Sequence, residues 1–331
     1  MRELLNTLQH QWIDLAQPRL GAKGIHASDE FFAPLERMLN PEPAVFIPGR
    51  YDDNGKWMDG WETRRKRGEG YDHAIVRICP GVIHGIDLDT SHFTGNYAPS
   101  ASVDACHSAT EPDADTVWTP ILESSTLQGN SHNVFAIENR ACWNYLRLNI
   151  YPDGGVARLR VYGEVHRDWS GHETGMEIDL LAMENGGRAL CANDMHFGHM
   201  SNLIAPGRGI NMGDGWETRR RREPGHDWAI LRLGHVGEIR RIVIDTAHFK
   251  GNFPHECSVS GAFMSGGDEA SIATQSLFWR TLLPPQPMHA DSIHEYLDEI
   301  QAIGPLTHLR LNIFPDGGVS RLRAFGHLHR G

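Results

Sequence analysis

Apolar and polar residues alternate along several stretches of this chain, most regularly beside a Pro-Asp-Gly-Gly sequence. In Leu146–Ile150 every second residue is leucine or isoleucine, and the alternation resumes over 156–162, after the turn sequence Pro152–Gly155. A period of two is typical of a strand with one buried face. Because the glycines of the turn can adopt positive φ, we predict a β-hairpin over 146–162 and another over 309–325, where the pattern recurs.

Other short segments also have the composition of strands. They are Ala74–Ile78, Ile86–Asp89, Ala229–Leu233 and Ile239–Asp245. Helix signals are few: Ser292 and Glu295 form a capping-box pattern, and apolar residues at 296–300 follow at helical spacing, so we predict a helix there. Many short strands separated by turns indicate an all-β fold, a two-sheet antiparallel sandwich or jelly roll.

Two blocks of sequence occur twice in the same order. Asp-Gly-Trp-Glu-Thr-Arg-Arg stands at 59–65 and again at 214–220, and the block at 146–160 returns at 309–323 with two substitutions. Chance does not produce two such matches. We therefore infer an internal duplication of a domain of about 150 residues, an ordinary domain size.

The spacing between matched residues changes from block to block, which marks insertions in surface loops. The matches begin at Asp14 in one copy and Asp179 in the other. We predict a first jelly-roll repeat over 14–166, a linker rich in Gly, His and Glu over 167–178, and a second repeat over 179–331.

Charge and composition narrow the classes of function. The net charge of −11 argues against a nucleic-acid or anionic-membrane partner, because both favour a basic face. The basic runs at 64–67 and 219–222 are flanked by glutamates, and we interpret them as ion-paired strand or loop residues. Five cysteines without a CxxC pattern favour a reducing compartment, and residues 1–17 hold no apolar stretch. We expect a cytoplasmic protein.

The repeated segments 59–65 and 214–220 combine a tryptophan, carboxylates and adjacent arginines. In a functional interpretation, arginine binds a substrate carboxylate and glutamate acts as a general acid or base. The candidates are Glu62 and Glu217 for catalysis, and Arg64, Arg65, Arg219 and Arg220 for substrate binding. In the structural alternative, which the identity of the copies slightly favours, the aspartate caps a loop, the tryptophan fills the sandwich and Arg–Glu pairs cover its edge.

A second repeated motif, Asp89–Asn96 and Asp245–Asn252, follows an apolar strand and enters a loop. Loops at strand ends often carry ligand-binding groups. The candidates are His92 and His248 for proton transfer, and Asn96 and Asn252 for substrate binding. In the alternative, each histidine bonds the aspartate of its own motif and braces the corner; the sequence leaves both open.

A metal site has weak support. His327 and His329 lie on one face of a strand, but their counterparts in the first repeat are Glu164 and His166. We expect no cofactor, and dependence on a divalent metal stays open. The sequence lacks GxSxG, HExxH, P-loop and dinucleotide-binding fingerprints.

The repeated motifs resemble the allantoicase family. The resemblance lies in Lys56–Arg67 and its copy Asn211–Arg220, in Asp245–Asn252, in both Pro-Asp-Gly-Gly turns and in Phe46–Arg50. It covers nearly the whole chain. It implies two jelly-roll domains similar to galactose-binding modules, hydrolysis of allantoate to ureidoglycolate and urea in purine (allantoin) degradation, and a homo-oligomer. It assigns no catalytic residues.

The alternative of another class is a non-catalytic tandem module that binds carbohydrate or another small ligand. The fold alone does not exclude such a module. Modules of that kind are usually secreted or joined to a catalytic domain, whereas we expect neither here. The enzyme is therefore the favoured interpretation.

Overall fold

The computed structural model describes residues 2–173 and 175–329, which divide into two compact units between His166 and Arg167. The linker predicted over 167–178 contains Thr174, and the predicted end of the second repeat contains residues 330 and 331, all three outside the described residues. The boundaries therefore stay a prediction. No helix in the described part of the chain is long and apolar enough to cross a membrane.

The regular secondary structure of the first unit is mostly β-strand. Its elements are α1 (Arg2–Gln11), β1 (Ile13–Asp14), β2 (Lys23–Ala27), β3 (Tyr51–Asp52), β4 (Gly55–Lys56), β5 (Trp61–Glu62), β6 (Asp72–Asp89), β7 (Ser100–Cys106), β8 (Thr119–Thr126), β9 (His132–Ala136), β10 (Cys142–Tyr151), β11 (Gly155–Val156) and β12 (Arg158–Val165), with 3₁₀ turns at Pro18–Leu20 and Leu35–Leu39.

The long strand β6 connects the two layers of the sandwich. Its first half pairs with β2 and β10, and β10 continues the layer through β7 to β8. Its second half pairs with β9 and β12, and β12 continues to β1. All of these pairs are antiparallel. Because the two halves have different neighbours, β6 passes from one layer into the other.

Apolar side chains from both halves of β6 fill the space between the layers. Val76 and Leu88 are fully buried there, together with Trp61 from β5. Each such side chain contributes roughly 1.5–3 kcal/mol relative to exposure. Helix α1 forms a smaller cluster, in which Leu8 packs against Val134 and Tyr162.

The second unit repeats this topology. Its elements are β13 (Ile178–Asp179), β14 (Arg188–Ala192), β15 (Trp216–Glu217), β16 (Asp227–Asp245), β17 (Glu256–Ala262), α2 (Glu269–Gln275), β18 (Arg280–Pro287), β19 (Ile293–Tyr296), β20 (Leu306–Phe314), β21 (Gly318–Val319) and β22 (Arg321–Leu328), with 3₁₀ turns at Met183–Asn185, Met200–Ile204, Met212–Asp214 and Ser276–Phe278. Strand β16 takes the place of β6, with β14 and β20 on its first half and β19 and β22 on its second.

The all-β, duplicated architecture confirms the sequence prediction, but both hairpins were wrong. The arms predicted to pair with each other, β10 and β12, pair with different halves of β6, and β20 and β22 do the same with β16. The Pro-Asp-Gly-Gly sequence therefore connects two layers. Alternation reports which face of a strand is buried, and it carries no information about the neighbouring strand.

The predicted helix at Ser292 was also wrong. Ile293–Tyr296 forms β19, which pairs with Ile242–Asp245 of β16, and the Ser292 hydroxyl donates to the Ala290 carbonyl. Pairing with a distant strand outweighs a local capping preference. Helix α1 was missed because its sequence is mostly polar; of its residues only Leu8 is buried.

Candidate active site

The Trp-Glu-Thr segment and the Pro-Asp-Gly-Gly turn meet in the first unit. Glu62 pairs with Gly155 between β5 and β11, and the Thr63 hydroxyl accepts a hydrogen bond from the Gly154 N–H at 3.1 Å. Trp61 is fully buried, and its indole N–H donates to the Asp29 carbonyl at 2.9 Å. The tryptophan is thus structural, and it fixes the backbone that carries Glu62.

The aspartate of the same motif forms a buried ion pair. Asp59 accepts from Arg158 at 2.6 Å, and the arginine side chain is 1% exposed. The remaining Arg158 hydrogen bonds go to the carbonyls of Arg37, Glu42, Asp59 and Ala157. The pair ties the loop before β5 to the start of β12, and sequence reasoning did not find Arg158 as its partner.

The histidine of the second motif occupies a strained turn. His92 has a φ of 70°, which non-glycine residues adopt rarely. Its backbone N–H donates to Asn130 Oδ1 at 2.8 Å, and its ring Nε2 lies 3.1 Å from the Ala44 carbonyl. Asp89 accepts instead from the Ser91 N–H. The brace between each histidine and its own motif's aspartate, which the sequence left open, is therefore wrong for His92.

Phe93 draws this loop onto the turn. It is fully buried against Gly155, where a Cβ would collide with the phenyl ring, so the position requires glycine. The Gly155 N–H donates to the Asn96 carbonyl at 2.7 Å. The Asn96 side-chain amide then donates to Glu62 Oε1, also at 2.7 Å. Three motifs that are distant in sequence converge here.

The environment of Glu62 changes its acidity. Burial raises the pKa of the Glu62 carboxyl above its ordinary value, and the hydrogen bond from Asn96 partly opposes the shift. A carboxyl group with a raised pKa is suited to proton transfer near neutral pH.

Two adjoining clefts open at this point and share Phe32, Glu62, Gly95 and Asn96. The first, of about 480 Å³, is also lined by Arg65, Lys66, Tyr97 and Asp153. The second, of about 420 Å³, is also lined by Lys56, Met58, His92 and Thr94. Each cleft therefore contains the carboxyl–amide pair and at least one cationic side chain, and the volume of each lies in the range of small-molecule sites.

The arginines of the first motif differ in their partners. Arg64 pairs with Asp29 at 2.7 Å, and its counterpart Arg219 pairs with Asp194 at 3.2 Å. Within residues 2–173 and 175–329, Arg65 and Arg220 form no ion pair. The runs are partly ion-paired, as expected, but with aspartates and not with the flanking glutamates.

In each basic run, the residue that follows the second arginine also forms an ion pair. Lys66 contacts Asp72 at 2.8 Å, and Arg221 contacts Asp227 at 2.6 Å. Sequence reasoning missed Lys66 and Lys56 as cleft-lining residues. The basic run at 64–67 was a signal for the first of them.

The second unit contains the same arrangement. Glu217 pairs with Gly318 between β15 and β21, and the Asn252 amide donates to Glu217. His248 has a φ of 72° and its ring Nε2 lies 2.8 Å from the Gly209 carbonyl. Asp245 pairs with Arg208, so the proposed brace to His248 is wrong here too. The buried pair recurs between Asp214 and Arg321 at 2.7 Å.

The ligands for a metal are not brought together in the part of the chain described. It contains no group of three or more His, Cys, Asp or Glu side chains placed to hold a metal ion. His327 lies on β22 opposite Glu238 of β16, and the His329 N–H donates to the Val236 carbonyl.

Comparison with known proteins gives a consistent result. A family model described as the allantoicase repeat matches residues 13–166 and 178–329. A probable allantoicase 2 of Burkholderia pseudomallei is 59% identical over 320 residues, covering 96% of this chain and 95% of the relative. A probable allantoicase of Pseudomonas savastanoi is 56% identical over 322 residues, covering 97% of each chain.

Solved structures agree. Allantoicase from Saccharomyces cerevisiae is 33% identical with a TM-score of 0.79, and the match covers 98% of this chain and 97% of that one. A second allantoicase structure is 34% identical with a TM-score of 0.80 over the same shares.

Proposed function

The chain belongs to the allantoicase family, and from this membership we infer that it hydrolyses allantoate to ureidoglycolate and urea in purine degradation. The match in order of both repeats over nearly the whole chain carries this conclusion. A non-catalytic carbohydrate-binding module is not favoured, because the relatives at 56–59% identity are named allantoicases.

The substrate defines what the site must provide. Allantoate has one carbon that carries a carboxylate and two ureido groups. Release of urea breaks one carbon–nitrogen bond, while water supplies a hydroxyl group to the carbon and a proton to the leaving nitrogen. The reaction therefore needs a cation for the carboxylate, an acid for the leaving nitrogen and a base for the water.

The convergence of Glu62, Asn96 and the turn at Gly155 supports placing the reaction in the clefts of the first unit. Glu62 is the proposed proton-transfer group, because it is buried, has a raised pKa and is oriented by Asn96. Glu217 and Asn252 are the matching pair in the second unit.

The cation for the carboxylate is best supplied by Arg65 in the first unit and Arg220 in the second. Arg64 and Arg219 are weaker candidates, because aspartates already neutralise them. His92 lines the second cleft, and with His248 it completes the proposed set.

The family resemblance also supports a homo-oligomer, and the sequence supports a cytoplasmic location. Both stay predictions. Light scattering on the purified protein tests the first, and cell fractionation tests the second.

The reaction is tested by incubating the purified protein with allantoate and measuring urea, with a chelator or with added divalent metal. The site is tested by Glu62→Gln beside Glu69→Gln, an exposed glutamate in the loop that follows β5. We expect loss of urea release in the first variant and wild-type rates in the second. No urea under any metal condition would reject the reaction, and full activity of Glu62→Gln would reject this site.

A further inference from the structure

His294 forms a hydrogen-bonded bridge in the second unit. Its ring Nδ1 lies 3.1 Å from the Ile244 carbonyl of β16, and its Nε2 lies 2.9 Å from the backbone N–H of His289. A carbonyl can only accept and a backbone N–H can only donate. The ring is therefore neutral, with its proton on Nδ1 and an acceptor lone pair on Nε2.

The first unit makes the same bridge with an asparagine. Asn133 Nδ2 donates to the Leu88 carbonyl at 2.9 Å, and Asn133 Oδ1 accepts from the Gln128 N–H at 2.8 Å. Leu88 and Gln128 occupy the positions of Ile244 and His289, on the matching strand and loop. In both units, therefore, one side chain at this position donates a hydrogen bond to the long strand and accepts one from the loop. Only in the second unit is that side chain titratable.

The bridged loop supports the turn at His248. The Thr246 hydroxyl donates to the His289 carbonyl at 2.6 Å, and Asp291 Oδ1 accepts from the His248 N–H at 2.7 Å. This second bond holds His248 in its positive-φ conformation, on the loop that leads to Asn252. A change at His294 thus reaches His248 through residues 289–291.

The charged and titratable groups facing His294 come from the strand end and the loop. The His289 ring is stacked on it with centroids 5.6 Å apart, and Asp245, paired with Arg208, lies at the end of β16. Burial and His289 lower the pKa of His294, against the opposing effects of the Ile244 carbonyl and Asp245. The neutral ring required by the two hydrogen bonds is therefore also the form that its surroundings favour.

We propose that His294 is a positioning residue for the His248–Asn252 loop, and that protonation of its ring releases this loop. A proton on Nε2 removes the acceptor for the His289 N–H, since the cation has two donors and no acceptor. The first unit, bridged by Asn133, has no such response. The expected change in kcat/KM rests on the function proposed above, whereas the expected change in hydrogen–deuterium exchange does not.

Hydrogen–deuterium exchange tests the bridge directly. Exchange of peptides covering 286–294 and 246–252 is followed from about pH 7.5 down to about pH 4, after correction for the intrinsic pH dependence, because the pKa of His294 lies below the ordinary histidine value of about 6.5. In the wild type we expect protection to fall by a factor of about 3–10 at the lower pH, as for one lost hydrogen bond.

Exchanging the bridging residues between the two units gives matched control variants. His294→Asn should keep protection at both pH values, because asparagine makes this bridge in the first unit. His294→Ala should lose protection at both. Asn133→His should transfer the pH response to residues 125–133. Protection that does not change with pH in the wild type, or that changes equally in His294→Asn, would overturn the proposal.

Kinetics separate this proposal from the proposed function. We expect the acid limb of the kcat/KM profile for allantoate to move to lower pH in His294→Asn, and kcat/KM to fall at all pH values in His294→Ala. A further outcome is that exchange responds to pH as expected while both variants keep the wild-type kcat/KM profile. That result would confirm the His294 bridge and would exclude the His248–Asn252 loop from the catalytic site.

Discussion

The Asn96 amide donates a hydrogen bond to the Glu62 carboxylate across 2.7 Å and so joins two motifs that lie apart in the sequence. The same bond recurs between Asn252 and Glu217. In the first unit, burial raises the pKa of Glu62 and Asn96 limits that rise. The asparagine is therefore positioned to set the pH at which this carboxyl group gains or loses its proton.

Replacing Asn96 should shift the pH dependence of the reaction. Asn96→Ala removes the contact that lowers the pKa of Glu62, so the limb of the kcat/KM profile governed by Glu62 should move to higher pH. This direction holds whether Glu62 acts as acid or as base. Profiles of the wild type and Asn96→Ala, with Asn252→Ala as the matched variant, test it. A profile of Asn96→Ala that coincides with the wild type would exclude Glu62 as the titrating group.

Glu62→Gln should separate activity from stability. Because the pKa of Glu62 is raised on folding, its contribution to stability is full below the unfolded pKa and is lost as pH rises through the folded pKa. Glutamine does not ionise and so does not lose stability as pH rises, and we expect the melting temperature of Glu62→Gln at pH 7 to be no lower than that of the wild type. We expect its kcat/KM to fall by about 10²-fold or more. A lower melting temperature with unchanged kcat/KM would make Glu62 structural.

The architecture was predictable because the repeated blocks and the alternation at 146–150 are local signals. The strands that pair with β6 were not predictable, because nothing in Asp72–Asp89 alone shows that one strand belongs to both layers. The same limit explains Ser292, whose capping pattern is local while the pairing of β19 with β16 is not.

The candidate site was predictable as a set of residue types, and only in part as an arrangement. Glu62, Asn96 and His92 were all chosen from repeated motifs, and the first two are in contact. The sequence did not separate Arg65, which lines the cleft, from Arg64, which pairs with Asp29. Their side chains are adjacent and chemically identical, so only the fold distinguishes them.

The buried Asp59–Arg158 pair should be essential for stability. Arg158→Met leaves Asp59 buried without its partner, and the loss of one partner of such a pair costs about 3–5 kcal/mol. Arg64→Ala is the control, because Arg64 is 63% exposed and an exposed pair contributes roughly 0–1 kcal/mol. Urea unfolding followed by tryptophan fluorescence measures both. Equal losses in the two variants would contradict the distinction.

The first unit should also gain stability at lower pH from His132. Its Nδ1 lies 2.7 Å from buried Asp87, and this hydrogen bond raises the pKa of His132. The contribution is full below the unfolded histidine pKa and is lost as pH rises through the raised value. Since His132 is 49% exposed, screening limits it to below about 1 kcal/mol.

The measurement for His132 is the melting temperature of the wild type, His132→Asn and the exposed control His107→Asn across neutral to alkaline pH. We expect the deficit of His132→Asn to shrink as pH rises, and the His107 variant to follow the wild type. The second unit has Val243 and Ile293 at the matching positions, so its transition should not change. A deficit that is constant with pH would reject the linkage.

The last prediction concerns whether activity requires the imidazole rings of His92 and His248 or only the backbone conformation of these residues. Both residues have φ near 70°, a conformation that costs an alanine roughly 1 kcal/mol more than a glycine. His92→Gly should therefore melt at or above His92→Ala. If the ring takes part in proton transfer, both variants lose kcat/KM to the same extent, by about 10²-fold. If the turn matters only as backbone, His92→Gly keeps its activity. The same pair of substitutions at His248 repeats the test in the second unit. Wild-type kcat/KM in both His92→Ala and His248→Ala would remove the histidine loops from the site and leave the Glu62–Asn96 pair as its centre.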